Sequence, residues 1–314
     1  MPETTTPSWQ SRVANALVRA RMRPHALKPI DPEFMRANMG RPRWARELML
    51  RATGATARAA GPNEPAGEWV TASGTTSRTM LYLHGGGYIA CSPETHRPLV
   101  GALVSRFGAR AFVPRYRLAP EHPYPAAFDD ALAAYRHLVD VCAVDPSTLV
   151  LAGDSAGGGL ALALALALRT QALPPPAAIL CFSPWTDLAA TGKSLDENSD
   201  RCAMFAGDTI RRASGIYLGN ASATDPLVSP LYGDFRDLAP LLIHASADEV
   251  LRDDSVRVAE RARAAGVEVE FRMWPVVPHC WQFFAGMMPE AVESLQLVTQ
   301  FVMKHTNRHV PSVT

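Results

Sequence analysis

The chain alternates between short apolar runs and longer amphipathic ones. Thr79–Leu83, Arg110–Val113, Thr148–Ala152, Ala178–Phe182, Leu241–Ala245 and Val267–Met273 have the length and apolar content of strands. Between or after them, Leu99–Phe107, Phe128–Val141, Asp254–Ala265 and Pro289–Lys304 have helical spacing. Strands alternating with helices predict βα units and a mostly parallel sheet. Two further short strands, Ala55–Ala60 and Glu68–Ala72, flank the turn-rich Gly61-Pro62-Asn63.

One segment carries a conflicting signal. Leu160–Leu168 alternates Leu and Ala with period two, the period of a strand. Both residues are strong helix formers, however, and no β-branched residue interrupts them. A helix of this composition is apolar on every side and is expected to be buried.

Residues 1–50 predict amphipathic helices, with Val13 and Leu17 on one face and Phe34, Trp44 and Leu48 recurring later. This segment precedes every strand, so its apolar residues are expected to bury against something outside the sheet core. Residues 186–230 separate two strands by far more than an ordinary loop and hold Met204, Phe205, Ile210, Ile216 and Tyr217. The expected division is an N-terminal cap segment (1–50), an α/β domain (51–185 and 231–314) and a cap insertion (186–230). The two cap pieces are expected to roof the carboxyl ends of the strands.

Composition narrows the function classes. The 314 residues are 47% hydrophobic and 19% charged, with a formal net charge of +1. That is ordinary globular composition, and no Lys/Arg block points to a nucleic-acid partner. The five cysteines form no metal-ligand spacing and read as reduced thiols. No metal and no cofactor are expected. The N-terminus has no apolar signal region, and the most apolar stretch, Ala156–Leu168, is too short to span a bilayer. The expectation is a cytoplasmic protein without a membrane anchor.

Four motifs carry chemistry. Gly153-Asp154-Ser155-Ala156-Gly157 follows a predicted strand and opens a helix. That context makes Ser155 a nucleophile on a tight strand-to-helix turn, with the Ala156 N–H facing a developing oxyanion. His84-Gly85-Gly86-Gly87 ends another strand. Gly85 and Gly86 are assigned as the other oxyanion donors, with Gly87 giving flexibility and His84 bonded to nearby backbone. Asp248 is the first acid beyond strand Leu241–Ala245 and is the favoured partner of the base, with Glu249, Asp253 and Asp254 as competitors. Of nine histidines, His279 alone follows the last strand and precedes the last helix, which makes it the general base. His305 and His309 are expected to be solvated tail residues. Cys280 is read as a small buried hydrophobe.

With these motifs in order, the chain resembles the bacterial hormone-sensitive-lipase family of esterases. The resemblance rests on His84–Gly87, Tyr116–Pro125 (YRLAPEHPYP), Gly153–Gly158 (GDSAGG), Asp225–Pro230 (DPLVSP), Asp248–Asp254 and His279. It implies an α/β-hydrolase fold with a mostly parallel eight-stranded sheet and a helical cap. It also implies a Ser155–Asp248–His279 triad and hydrolysis of short-acyl carboxylic esters, a small-molecule substrate. Where the family often has Gly and Phe after its histidine, this chain has Cys280 and Trp281, which bears on pocket shape. Tyr88, Asp154, Trp185, Met204, Phe205 and Trp281 are the candidate pocket residues. Tyr116–Pro125 reads as a rigid buried scaffold for the oxyanion loop, with Arg117 and Glu121 able to pair. A homodimer through the edge strand Val267–Met273 is the favoured assembly. The same machinery serves lactone or amide hydrolysis, and plant gibberellin receptors resemble the same family without its catalytic histidine.

Overall fold

The computed structural model describes residues 6–74 and 77–306. His309 and the outermost parts of the first and last expected segments fall outside them. The N-terminal segment forms α1 (Trp9–Ala26), α2 (Pro32–Asn38) and α3 (Arg43–Ala52). Each start has a local cause: the Ser8 side chain caps α1, and Asp31 caps α2 with Pro32 at its first position. Next come β1 (Ala55–Ala59), β2 (Gly67–Ala72), β3 (Thr79–Leu83), α4 (Pro93–Phe107), β4 (Arg110–Pro114) and α5 (Ala126–Arg136). Then follow β5 (Leu149–Asp154), α6 (Ala156–Thr170), β6 (Ala178–Phe182), and the insertion with α7 (Ser194–Glu197) and α8 (Gly207–Leu218). The chain closes with β7 (Leu241–Ser246), α9 (Arg252–Ala264), β8 (Val269–Trp274) and α10 (Pro289–Thr306).

The eight strands form one sheet in the order β1-β2-β4-β3-β5-β6-β7-β8. β1 and β2 pair antiparallel with each other, and β2 pairs antiparallel with β4. All the other pairs are parallel. β8 pairs only with β7 among the described residues, which leaves its outer edge open.

Side-chain alternation along the central strands explains why they are apolar throughout. Leu81, Leu83, Leu149, Leu151, Ile179 and Ile243 face one helix layer, which includes α5, α6 and α9. Met80, Tyr82, Val150, Leu180 and Leu242 face the other, built on α4 and α10. α6 lies wholly inside the first layer: every residue from Ala156 to Leu168 is buried. The Leu–Ala repeat is therefore a helix, because its surroundings are apolar all round and helix propensity then decides.

The N-terminal segment departs from expectation. Val13, Leu17, Phe34, Trp44 and Leu48 are not buried; all five are exposed. α1 is fastened by polar bonds instead. Ser8 donates through N–H and hydroxyl to Glu290 at 2.7 and 2.8 Å, and Arg23 donates to the Phe205 carbonyl at 2.5 Å. In the insertion, the Thr209 hydroxyl donates to the Ala26 carbonyl at 2.7 Å. His305 is likewise no tail residue; it lies half-buried on α10 with its ring 4.6 Å from that of Phe301.

Leu164→Ala should lower unfolding stability by about 2–5 kcal/mol, because α6 has no freedom to collapse onto the lost volume. Urea unfolding followed by circular dichroism reads this directly; a loss under 1 kcal/mol (well below that range) would show that the α6 layer is loosely packed.

Candidate active site

β5 passes into α6 through Ser155, whose backbone sits at φ 53° and ψ −123°. Only close packing tolerates such a conformation in a residue with a side chain. Gly157 has no room for one: a Cβ there would lie 2.0 Å from the Leu83 carbonyl oxygen. Two bonds hold the turn. The Ser155 N–H donates to the Phe182 carbonyl at 2.8 Å, and the Trp185 N–H donates to the Ser155 carbonyl at 2.9 Å. The same Phe182 oxygen lies 3.8 Å from the Cys280 sulfur, so the residue after His279 meets the turn that presents Ser155.

The glycine loop His84–Gly87 follows β3. Gly85 does not occupy the donor role assigned to it. Its N–H points at the Asp154 carboxylate, 3.0 Å from Oδ1, and is already used. The chain then reverses, with Gly86 at φ 117° and Gly87 at φ 66°. Among the described residues, the N–H groups of Gly86, Gly87 and Ala156 donate to no protein group. The second and third glycines and Ala156 thus keep N–H groups that no described residue uses, whereas the first glycine does not. A tripeptide of glycines cannot reveal which N–H is consumed by a side chain seventy residues away.

Asp154 is likewise support and not a pocket residue. It is buried, takes the Tyr82 hydroxyl at 2.8 Å and lies 3.2 Å from His96 Nε2. Burial opposes its charge, but His96, Tyr82 and the Gly85 N–H outweigh that and hold its carboxyl below the ordinary value. His84 has the structural part expected of it. Its Nδ1 lies 2.8 Å from the Gly85 carbonyl, and its ring stacks on Tyr116 at 4.1 Å. Burial first, then the neighbouring His96, push its pKa down to about 3. Tyr116 donates its hydroxyl to the His84 carbonyl at 2.5 Å and anchors the loop. The remainder of 116–125 is more exposed than expected, with Arg117 paired to Asp130 and Glu121 to Arg36.

The largest correction concerns the acid. Glu249, not Asp248, meets the histidine: its Oε2 lies 2.5 Å from His279 Nδ1. Its other oxygen accepts the Ser246 N–H at 2.9 Å. Both Glu249 and His279 are buried, and His279 Nε2 has no partner among the described residues. Asp248 faces away, ion-paired with Arg201 and accepting the Val276 N–H at 3.1 Å. The physical reason is the turn after β7. Asn198 donates to the carbonyls of Ala247 and Glu249 at 3.0 and 2.9 Å, and this clamp leaves consecutive side chains on opposite sides. Being the first acid past the strand is then no guide to which acid faces inward.

Of the other pocket candidates, Phe205 lies against His279 and Tyr88 beside the start of α6. The Phe205 ring meets His279 edge-on at 5.3 Å, beside half-buried Met204. Tyr88 follows the glycines and stacks on Tyr217 at 3.7 Å. Trp185 is buried next to the elbow, its indole N–H unpartnered among the described residues. Trp281 belongs elsewhere: it is fully buried against Trp274 in a satellite cluster and donates to the Glu290 carbonyl. The Cys280 thiol is buried, and burial pushes it up.

The loop carrying Trp185 is clamped by Asp254. One oxygen of this buried carboxyl accepts the N–H groups of Thr186 and Asp187, at 2.7 and 2.9 Å. Burial, with Asp187 nearby, pushes its pKa up to about 7.

Comparison with known proteins matches this geometry to a class. Residues 80–283 match the family described as alpha/beta hydrolase fold. An acetyl-hydrolase of Streptomyces hygroscopicus is 41% identical over 239 residues, 76% of this chain and 80% of that protein. An esterase of Acinetobacter venetianus is 32% identical over 302 residues, 93% of this chain and 96% of that protein. A crystal structure of an esterase from the bacterial hormone-sensitive lipase family superposes with a TM-score of 0.84 at 35% identity, covering 96% of this chain and 100% of that one. A hormone-sensitive lipase from a metagenome library gives 0.87 at 34% identity, with the same coverage. The chain is thus an α/β hydrolase. It belongs to the bacterial hormone-sensitive-lipase family of esterases and is a carboxylic ester hydrolase.

Two experiments follow from the site. Glu249→Gln should lower kcat by about 10³–10⁴-fold, as loss of the carboxylate that orients a histidine base does elsewhere. Asp248→Asn should change it far less; the reverse ranking in p-nitrophenyl butyrate kinetics would restore Asp248 as the acid. Asp254 sets a pH dependence of stability. Its folded-state value, about 7, lies above the ordinary 3.8, so the folded state holds the proton more tightly. That contribution is complete below about pH 4 and is lost as pH rises through about 7. The Asp254→Asn protein should therefore gain stability relative to the parent between about pH 5 and pH 8, read as the difference in urea midpoints; a constant difference would contradict the raised value.

Proposed function

We propose that this chain hydrolyses short-acyl carboxylic esters through an acyl-enzyme on Ser155, with His279 as base and Glu249 as the acid behind it. The observation that carries this reading is the Glu249–His279 contact at 2.5 Å, which leaves Nε2 without a partner among the described residues. A carboxylate on Nδ1 fixes the tautomer whose Nε2 accepts a proton. Ser155 Oγ attacks the ester carbonyl and gives its proton to Nε2. The carbonyl oxygen becomes negative and takes N–H groups from Gly86, Gly87 and Ala156. The C–O bond to the alcohol then breaks, and the alcohol leaves with the proton from Nε2. Water repeats the cycle on the acyl-enzyme, its proton passing through His279 to Ser155 as the acid is released.

A short acyl group is supported by the aromatic walls near Ser155, where Tyr88 stacks on Tyr217 and Trp185 is buried. The name of the acetyl-hydrolase relative points the same way. The roof is assigned to the inner side of α1 and to residues 186–230. Its support is the bond from Arg23 to the carbonyl of Phe205, whose ring lies on His279.

Ser155→Ala should abolish turnover of p-nitrophenyl acetate and butyrate while the unfolding midpoint stays near that of the parent. The parent should be labelled on Ser155 by a fluorophosphonate, located by mass spectrometry of the peptide. Undiminished turnover in the variant, or label on Cys280, would overturn the mechanism.

A further inference from the structure

α1 presents its apolar residues outward. Its buried residues are Ser11, Ala14 and Ala26, small or polar. Trp9, Val13 and Leu17, spaced by four, form one stripe on the opposite side and are 70%, 47% and 65% exposed. Helical geometry places exposed Arg12 along one flank of that stripe and exposed Arg21 along the other. The helix is nonetheless held firmly. Beyond the bonds of Ser8 and Arg23, the Ser11 hydroxyl donates to the Val276 carbonyl at 2.5 Å, and Arg19 donates to the Cys202 carbonyl at 3.3 Å. A rigid helix that keeps three large apolar side chains in water between arginines has the composition of an interfacial helix.

Charge decides between the possible occupants. The near-neutral total of +1 conceals an uneven distribution: α1 (Trp9–Ala26) holds four arginines and no Asp or Glu. A second copy of this face would repel the first. A surface with negative charge in front of an apolar layer complements it in both respects.

We propose that the outer face of α1 docks on an anionic phospholipid bilayer, with Trp9, Val13 and Leu17 entering the acyl boundary and the flanking arginines meeting lipid phosphates. No helix among the described residues is long and apolar enough to cross a membrane. The inner side of α1 reaches Phe205, which touches His279. Docking therefore sets the active-site side of the molecule against the bilayer, where esters dissolved in lipid concentrate.

The test is co-sedimentation of the full chain with vesicles of phosphatidylcholine alone or mixed with phosphatidylglycerol. The parent should bind the mixed vesicles and be released as salt is raised. The Trp9→Ser/Val13→Ser/Leu17→Ser protein should bind them roughly tenfold more weakly or worse, as should Arg12→Glu/Arg21→Glu. Both variants should keep the parent's unfolding midpoint and its turnover of dissolved p-nitrophenyl acetate. Parent binding that ignores phosphatidylglycerol, or that survives the triple substitution, would overturn the proposal. So would a parent dimer, seen by light scattering, that the triple substitution dissolves, because a second copy would then cover the stripe. Loss of esterase activity with Ser155→Ala leaves this outcome untouched, so the two readings fail separately.

Discussion

The reversal of the chain at Ser155 is the constraint on which the site depends. β5 must end and α6 begin within one residue, and that residue is held at φ 53°. Such a conformation costs on the order of 1–3 kcal/mol and persists only where the surroundings enforce it. Here they do so from three sides. The end of β3 presses against Gly157, the carbonyl of Phe182 at the end of β6 accepts the Ser155 N–H, and the Trp185 N–H donates to the Ser155 carbonyl. Behind the turn, α6 is buried along thirteen residues, so the helix cannot slide to relieve the strain. The same close approach brings the glycine loop after β3 beside Ser155. The position of Ser155 and that of the glycine loop are thus consequences of one packing event.

Two buried carboxylate–histidine pairs flank that turn, with opposite outcomes. In the Asp154–His96 pair, the carboxylate also takes Tyr82 and the Gly85 N–H, while His96 Nδ1 meets the Thr95 hydroxyl at 2.8 Å. Both ring nitrogens are engaged, and the pair serves as a strut for the oxyanion loop. In the Glu249–His279 pair, one ring nitrogen is engaged and the other has no hydrogen-bond partner among the described residues. The two pairs differ in a vacancy of hydrogen bonding, not in the type of group paired.

The N-terminal segment follows a different logic from the α/β core. The core is held by apolar layers on both faces of the sheet, whereas α1 is held by hydroxyls, a carboxylate and arginines bonded to backbone carbonyls. Polar fastening frees the apolar side of the helix for another surface. It also explains how a helix whose apolar residues face solvent is held against the segment that carries Phe205.

Much of the architecture is local information. The eight strands, the helices between them and the identity of Ser155 and His279 as exceptional residues all follow from periodicity, glycine placement and chain order, because each depends on neighbours within a few positions. Even the Leu–Ala repeat of α6 is decided by intrinsic propensity once its surroundings are apolar. What the sequence could not decide is direction. Asp248 and Glu249 are adjacent, and only the Asn198 clamp on the turn determines which carboxylate faces His279. Gly85, Gly86 and Gly87 are chemically identical, and only Asp154, remote in sequence, determines which N–H is consumed. The apolar stripe of α1 signals a helix, yet whether that stripe faces the protein or the solvent is settled by what Ser8, Ser11 and Arg23 find to bond. In each case a rotation of one side chain or one helix face is set by partners tens to hundreds of residues away, and only the assembled tertiary structure brings them within reach.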